Sequence, residues 1–316
     1  MNAGVILIDK PQGISSFQAV ARVRKKTGIR KAGHTGTLDP MATGLLTICL
    51  GRATRFARFL TDAQKTYEGT ITLGMETDSY DAQGKIISEK PVPRGLSRHD
   101  IQEAARRFTG RLLQAPPAFS AAKFQGRPLY KFARNGINIQ KQPRPIQVFR
   151  FCIEAYESPV ITFTIDCSKG TYIRSLAHDL GKALGCGAHL SSLRRIRNGE
   201  LSVEKAVCLD DFIASSGPEE ITRYILPVEF VLSHIPAIFV DERQATAIQH
   251  GQGMSLVSAM KRIEEQGACP QGEKPSYLRI ITEGRGRLVC MARWPDTKAV
   301  IKNDDRIEIL RVWNPN

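Results

Sequence analysis

Residues 33–46, GHTGTLDPMATGLL, place a single carboxylate, Asp39, inside a segment whose residue types restrict the backbone. Gly33, Gly36 and Gly44 permit backbone angles that other residues avoid, and Pro40 fixes its own φ and favours an extended Asp39. A carboxylate displayed on a rigid turn can act as a nucleophile or as a base. The same residue types also build ordinary turns, so this segment alone leaves a structural role open.

Basic residues dominate the segment before Asp39 and the chain as a whole. The formal net charge is +14, because 45 Lys and Arg outnumber 31 Asp and Glu. Such a chain attracts a polyanion, and no stretch approaches the roughly twenty apolar residues that cross a bilayer. We therefore expect nucleic acid, and no membrane, as the partner. The basic residues nearest to Asp39 are Arg22, Arg24, Lys25, Lys26, Arg30 and Lys31.

Length and composition indicate two globular domains in a reducing compartment. The 316 residues, 42% of them hydrophobic, suffice for two buried cores. The first residues lack the features of an export signal, so we expect a cytoplasmic protein. The cysteines form no C-x-x-C pair, and we expect neither disulfides nor a zinc site. They are Cys49, Cys152, Cys167, Cys186, Cys208, Cys269 and Cys290.

Hydrophobic periodicity predicts an α+β fold with a mixed, largely antiparallel sheet flanked by helices. Long predicted strands alternate irregularly with helices, and no regular βαβ repeat is visible. The predicted strands cover residues 5–8, 65–73 and two runs within 148–167, and the predicted helices cover 16–27, 98–108 and 174–184.

The pattern changes at about residue 236, after a Ser-Ser-Gly-Pro break at 215–218 and a connecting helix. We predict a first domain over residues 1–232 and a second, small β domain over 236–316. Residues 260–274 are expected to form an inserted polar loop. The second domain is predicted to contain a helix at 242–250 and strands at 277–282, 287–294 and 306–312.

The segment around Asp39 closely resembles the catalytic motif of the TruB family of tRNA pseudouridine synthases. The resemblance extends over the first domain, because further blocks occur in the family's order and spacing. The second domain resembles, more weakly, the small β-barrel PUA module of bacterial members. The blocks are IDKPQGISS (8–16), LGRATRF (50–56), KTYEG (65–69), TDSYDAQG (77–84), SAAKFQGRPLY (120–130) and CSKGTYIRSLAHDLG (167–181).

This resemblance implies a catalytic role for three residues. Asp39 would attack the uracil or support cleavage at the sugar while a uridine is converted to its C-glycoside, without a metal or an organic cofactor. Tyr67 would lie against the flipped uracil. Arg174 would hold the Asp39 carboxylate through two parallel hydrogen bonds. The implied substrate is the T-loop uridine of tRNA.

The resemblance also implies a set of residues that bind the substrate. His34 would contact the RNA loop, and Lys10 and Arg55 would support the pocket or phosphates. Asp81 and Leu193 match positions near the active site. Tyr172 is expected to share a strand face with Arg174. The basic residues of 127–134 and 194–197 are expected to contact the phosphate backbone.

Other functions remain open at this point. Asp39, Asp78 and Asp81 could instead bind Mg²⁺ in a nuclease. The chain could bind or fold tRNA without modifying it, or it could depend on a guide RNA and protein partners, as the archaeal and eukaryotic branch does. The spacing of the motifs favours a monomeric enzyme that needs no obligatory protein partner.

Overall fold

The computed structural model describes residues 3–137, 139–268, 275–284, 286–295 and 306–314. Its strands are β1 Gly4–Lys10, β2 Ala32–His34, β3 Thr43–Leu50, β4 Lys65–Leu73, β5 Met75–Thr77, β6 Ile86–Glu89, β7 Gly110–Gln114, β8 Lys123–Phe124, β9 Arg127–Pro128, β10 Arg144–Glu157, β11 Val160–Cys167, β12 Ala188–Asn198, β13 Leu201–Ser202, β14 Val207–Cys208, β15 Ala237–Val240, β16 Tyr277–Thr282, β17 Leu288–Arg293 and β18 Ile309–Val312.

Helices cover the sheets and connect their strands. The α-helices are α1 Ser16–Thr27, α2 Ala57–Thr61, α3 Arg98–Arg106, α4 Leu129–Ala133, α5 Ile173–Ala183, α6 Leu209–Ala214, α7 Gly217–Arg223, α8 Val228–Val231, α9 Glu242–Gln249 and α10 Leu256–Glu265. Two 3₁₀ segments are Gly51–Phe56 and Val203–Lys205. Within the described residues, no helix is both long and apolar enough to span a bilayer.

A large mixed sheet forms the centre of the first region. In the described part of the chain it has ten strands, and its main path runs β14-β1-β3-β12-β4-β11-β10-β7. The β1–β14 and β12–β3 pairs are parallel and the other pairs are antiparallel. The predicted α+β class with a largely antiparallel sheet is thus confirmed. Strands β3, β12 and β4 lie side by side and carry the candidate site.

The C-terminal region forms a second, smaller sheet in the order β15-β16-β17-β18. Helices α9 and α10 bury apolar side chains against it in a core of their own. A further core joins this sheet to the first region, and in it Trp313 packs edge-on against Phe56. Residues 260–265, predicted as loop, continue helix α10, whose N-cap is Ser255; residues 269–274 of that predicted loop lie outside the described residues.

Helix α1 shows why local sequence predicted its limits so well. Ser15 caps the N-terminus in a capping box with Gln18, and Gly28 ends the helix in the left-handed conformation. Ser16 therefore does not cap the helix. Its buried hydroxyl instead accepts a hydrogen bond from the Leu38 amide at 2.8 Å and donates to the Leu38 carbonyl at 2.9 Å. The helix start is thereby fixed to the segment that carries Asp39.

The glycines of the Asp39 segment have different roles. Gly44 has a φ of +95°, and a Cβ there would lie 2.3 Å from the Arg195 carbonyl oxygen of the neighbouring strand. Gly33 and Gly36 do not adopt a positive φ, so of these three glycines only Gly44 uses the left-handed region. Gly44 is thus required for the close approach of β3 and β12.

Gly44→Ala is expected to lower the free energy of unfolding by about 3 kcal/mol, because it adds both backbone strain and a clash. Gly33→Ala is the matched control, since a Cβ at Gly33 meets nothing within 4 Å. Urea denaturation of both variants measures the difference. Equal stability of the two variants would contradict the assigned role of Gly44.

Candidate active site

The segment that carries Asp39 is fixed to its surroundings at several points. Besides the Ser16 contacts, the Gly13 amide donates to the Pro40 carbonyl at 2.8 Å, and the Ala42 amide donates to the Asp39 carbonyl at 3.0 Å. Strand β3, which follows at once, is buried along nearly its whole length. The Asp39 side chain itself remains 35% exposed. The carboxylate is therefore accessible while its backbone is held.

Arg174 reaches Asp39 from the first turn of helix α5. Its Nε lies 2.9 Å from Oδ2 of Asp39, and its side chain is only 4% exposed. The Nη1 group donates to the Ser79 carbonyl and the Nη2 group to the Phe119 carbonyl, both at 2.8 Å, and Nη1 lies 3.3 Å from Oδ2 of Asp81. The two parallel hydrogen bonds to Asp39 that the resemblance implied are therefore not formed. Four surrounding groups fix the guanidinium instead.

Asp81 is the second carboxylate beside Arg174. It is buried, and its Oδ1 accepts hydrogen bonds from the Ser79 hydroxyl at 2.7 Å and the Gln83 amide at 3.0 Å. Asp78 points elsewhere and accepts from the Lys85 amide as an ordinary turn residue. Arg174 thus occupies the space between Asp39 and Asp81. This favours an ion-pair network over the metal cluster of the nuclease hypothesis, and no group of three metal-ligating side chains is found among the described residues.

A cavity of about 350 Å³ opens beside Asp39. Its lining combines one carboxylate, two aromatic side chains and several cations. Among the residues predicted from sequence, Asp39, Tyr67, Arg174, Tyr172 and Leu193 line it. Tyr172 is the N-cap of α5, so the predicted strand face shared with Arg174 is wrong, although both residues reach the cavity. The other lining residues include Thr35, Gly36, Thr61, Lys65, Ser168, Lys169, Gly170 and Arg195.

Tyr67 lies near the start of β4, between Ile165 of β11 and Arg195 of β12. Burial raises the pKa of its hydroxyl, and the nearby Arg195 opposes this shift only in part. The phenol is therefore protonated at neutral pH. It presents an apolar ring and a hydroxyl donor to the cavity.

Arg195 lies inside the site, and its predicted role as a phosphate contact together with Arg194 and Arg197 is wrong. Arg195 is only 2% exposed. Its Nε donates to the Leu45 carbonyl at 2.7 Å and its Nη2 to the Gly36 carbonyl at 3.0 Å. Arg195 therefore fixes the Asp39 segment to β12. The alternation of β12 could have indicated this, because Arg195 follows the apolar Leu193 by two residues.

The remaining predicted residues, His34, Arg55, Lys10 and Asp81, do not line the cavity. His34 ends β2, and burial and then Arg195 lower the pKa of its imidazole, which is therefore neutral at neutral pH. Its buried Nδ1 has no hydrogen-bond partner in the part of the chain that the structure describes. Arg55 is exposed on the 3₁₀ segment Gly51–Phe56.

Lys10 lies fully buried under the Asp39 segment. Its Nζ donates to the Pro11 and Ile14 carbonyls, both at 2.8 Å, and so closes the turn that leads into α1. Burial lowers the pKa of Lys10 from 10.5 to about 8, although the Asp39 charge acts in the opposite direction. Lys10 therefore supports the backbone around Asp39.

Lys10→Met is expected to change the alkaline stability profile. Between pH 8 and 10.5 the unfolded chain binds a proton at Lys10 that the folded chain has lost, so Lys10 makes the free energy of unfolding rise with pH in this window. The variant should lack this rise. Urea denaturation at several pH values tests it, with the exposed Lys31→Met as control. Parallel profiles for wild type and Lys10→Met would contradict the assignment.

The fold of this chain is shared with solved structures of RNA-associated protein complexes. The chain is similar to the solved structure of a Cbf5-Nop10-Gar1 complex, with a TM-score of 0.71 and 26% identity over 98% of this chain and 84% of that one. It is also similar to an H/ACA RNP bound to a substrate RNA containing 2′-deoxyuridine, with a TM-score of 0.70 and 25% identity over 99% and 85%.

Sequence comparison gives the family. A model described as TruB family pseudouridylate synthase, N-terminal domain, matches residues 24–173, and one described as tRNA pseudouridylate synthase B C-terminal domain matches residues 174–233. Relatives named tRNA pseudouridine synthase B are 44% identical in Burkholderia lata, over 83% of this chain and 80% of the relative, and 40% identical in Burkholderia pseudomallei, over 92% of each. The chain belongs to the TruB family of pseudouridylate synthases, which are isomerases.

Proposed function

We propose that this enzyme converts the T-loop uridine of tRNA, U55, to pseudouridine, with Asp39 as the reacting carboxylate. The observation that supports this most directly is the contact of the buried Arg174 with a carboxylate that remains open to a cavity. The names of the relatives, tRNA pseudouridine synthase B, support tRNA as the substrate.

The proposed reaction needs only groups that line the cavity. The bond from N1 to C1′ breaks, the uracil turns, and a bond from C5 to C1′ forms. C5 loses its proton and N1 takes one up, so the product is an isomer of the substrate with no net redox change. Asp39 either adds to C6 of the uracil or supports cleavage at the sugar. Arg174 orients the carboxylate and balances its charge, because the guanidinium is itself held by Ser79, Phe119 and Asp81.

The target base must leave its stack before Asp39 can reach it, at a cost of a few kcal/mol. The cavity of about 350 Å³ can accommodate a pyrimidine base beside Asp39. Tyr67, Leu193 and Tyr172 would replace the lost stacking contacts. His34 and Arg55 would contact the RNA loop and its phosphates, while Lys10 and Asp81 would act by positioning the residues that react.

We further propose the domain limits, the location and the oligomeric state of this enzyme. A catalytic domain would end near residue 232, and a PUA-like domain that contacts RNA would begin near 236. The chain would work in the cytoplasm as a monomer, without a metal, an organic cofactor or an obligatory protein partner. The guide-dependent alternative is supported only by the structural similarity to the H/ACA assembly, whereas the identity of 40–44% to the tRNA enzymes favours direct recognition.

The test is incubation of the purified chain with unmodified tRNA transcript, followed by mapping of pseudouridine. We expect one pseudouridine at the T-loop position, and none in a transcript that carries cytidine there. Binding without modification would favour the tRNA-folding function. Modification only in the presence of an added guide RNA and protein partners would favour the guide-dependent function. Cleavage of the RNA would favour the nuclease function.

A further inference from the structure

A chain of polar contacts connects the C-terminal sheet to the edge of the cavity. The Tyr277 hydroxyl, at the start of β16, donates to Oδ2 of Asp62 at 2.6 Å. The other oxygen of the same carboxylate, Oδ1, lies 2.5 Å from Nζ of Lys169. Lys169 lines the cavity that contains Asp39. One carboxylate thus joins a residue of the second sheet to a cation of the candidate site.

The surroundings of Asp62 make this connection rigid. The Tyr277 ring packs edge-on against Phe59, with centroids 4.8 Å apart. The buried Lys65 donates from Nζ to the Thr61 and Ala63 carbonyls on either side of Asp62, which fixes the backbone of this turn. Burial acts to raise the pKa of Asp62, but the hydrogen bonds from Lys169 and Tyr277 outweigh it and hold that pKa below its usual value.

Lys169 is exposed enough to bind an anion in addition to Asp62. Its side chain is 57% exposed, so its ammonium group keeps donors that Asp62 does not use. It sits in the turn before α5, where the Thr171 hydroxyl donates to the Ser168 carbonyl and Gly170 has a φ of +80°. The same turn leads within a few residues to Arg174. A phosphate bound at Lys169 would therefore lie at the edge of the cavity in which Asp39 reacts.

We propose that Lys169 binds a backbone phosphate of the RNA beside the nucleotide that enters the cavity, and that Tyr277 of the C-terminal sheet positions Lys169 through Asp62. This inference rests on the proposed function for the identity of the RNA. The C-terminal sheet thereby influences the position of a cation at the edge of the catalytic cavity, through the carboxylate of Asp62. Tyr277 and Asp62 are positioning residues in this arrangement, and of these three residues only Lys169 touches the substrate.

The test combines variants of Lys169 and Tyr277 and measures the affinity for unmodified tRNA at several salt concentrations. Lys169→Ala should weaken binding about tenfold and reduce the slope of log affinity against log salt by about one, because one phosphate contact is lost. Lys169→Arg, which keeps the positive charge, should retain most of the affinity and most of the salt slope. Tyr277→Phe keeps the ring on Phe59 and removes only the hydroxyl, so it should weaken binding about threefold.

The decisive comparison is the double variant. Tyr277→Phe should have no further effect on tRNA affinity in the Lys169→Ala background, since it acts through Lys169. Tyr156→Phe, on β10, is the control and should leave affinity unchanged in both backgrounds. An equal effect of Tyr277→Phe in both backgrounds, or an unchanged affinity and salt slope in Lys169→Ala, would overturn the inference. Formation of pseudouridine by the wild-type protein tests the proposed function separately, because the affinity measurements do not depend on turnover.

Discussion

Asp39→Asn is expected to lower the single-turnover rate on tRNA by at least about 10⁴-fold, because an amide is neither a nucleophile nor a base. The side chains have nearly the same shape, and the backbone around Asp39 is held by contacts that do not involve its carboxylate. The affinity for tRNA should therefore change by no more than about twofold. Mapping of pseudouridine over time and equilibrium binding measure the two quantities.

Asp78→Asn is the matched control for this substitution. Asp78 belongs to the same acidic set that the nuclease hypothesis used, yet its carboxylate accepts from the Lys85 amide, whereas Arg174 pairs with Asp39 and Asp81. It should retain a rate close to that of wild type. Equal loss of activity in both variants, or full activity in Asp39→Asn, would remove Asp39 from the centre of the reaction.

Arg174→Lys is expected to lower turnover by about 10²–10³-fold although the charge is retained. One ammonium group cannot reach Asp39, Asp81 and the Ser79 and Phe119 carbonyls at once, as the guanidinium does. Each buried acceptor left without a donor should also lower the free energy of unfolding by about 1–3 kcal/mol. Turnover measured well below the melting temperature separates the two effects.

Arg150→Lys provides the comparison for Arg174→Lys. Arg150 pairs through Nε with Asp166 at 2.7 Å, but its side chain is 55% exposed, so a lysine there can use water for the lost contacts. We expect nearly normal turnover and stability for this variant. A folded Arg174→Lys protein that matched it in turnover would show that the ion pair with Asp39 does not govern the reaction.

Much of the fold could be predicted because the decisive signals are local. Helix α1 has a cap at each end, and β4, predicted at 65–73, has the same limits in the structure. The resemblance of several sequence blocks to the TruB family also implied Asp39, Tyr67 and Arg174 as site residues, and all three line the same cavity.

What could not be predicted depends on contacts between distant segments. Strand alternation could have placed Arg195 on the same face as Leu193, but its hydrogen bonds to the Leu45 and Gly36 carbonyls depend on the parallel pairing of β12 with β3, which the sequence does not specify. The acceptors of Arg174 come from three separate segments, so the sequence could not show that the guanidinium would meet Asp39 through Nε alone. The connection from Tyr277 to Lys169 likewise joins residues more than a hundred positions apart, as it requires the second sheet to pack on the first.

The central claim is that this chain, acting alone, isomerises a tRNA uridine with protein side chains only. Its most direct test is incubation of wild-type protein with unmodified tRNA transcript tritiated at C5 of uridine, in the presence of EDTA. We predict release of one tritium to water for each tRNA, because C5 exchanges its hydrogen for the new bond to C1′. Absence of release by protein that binds the transcript would contradict the account.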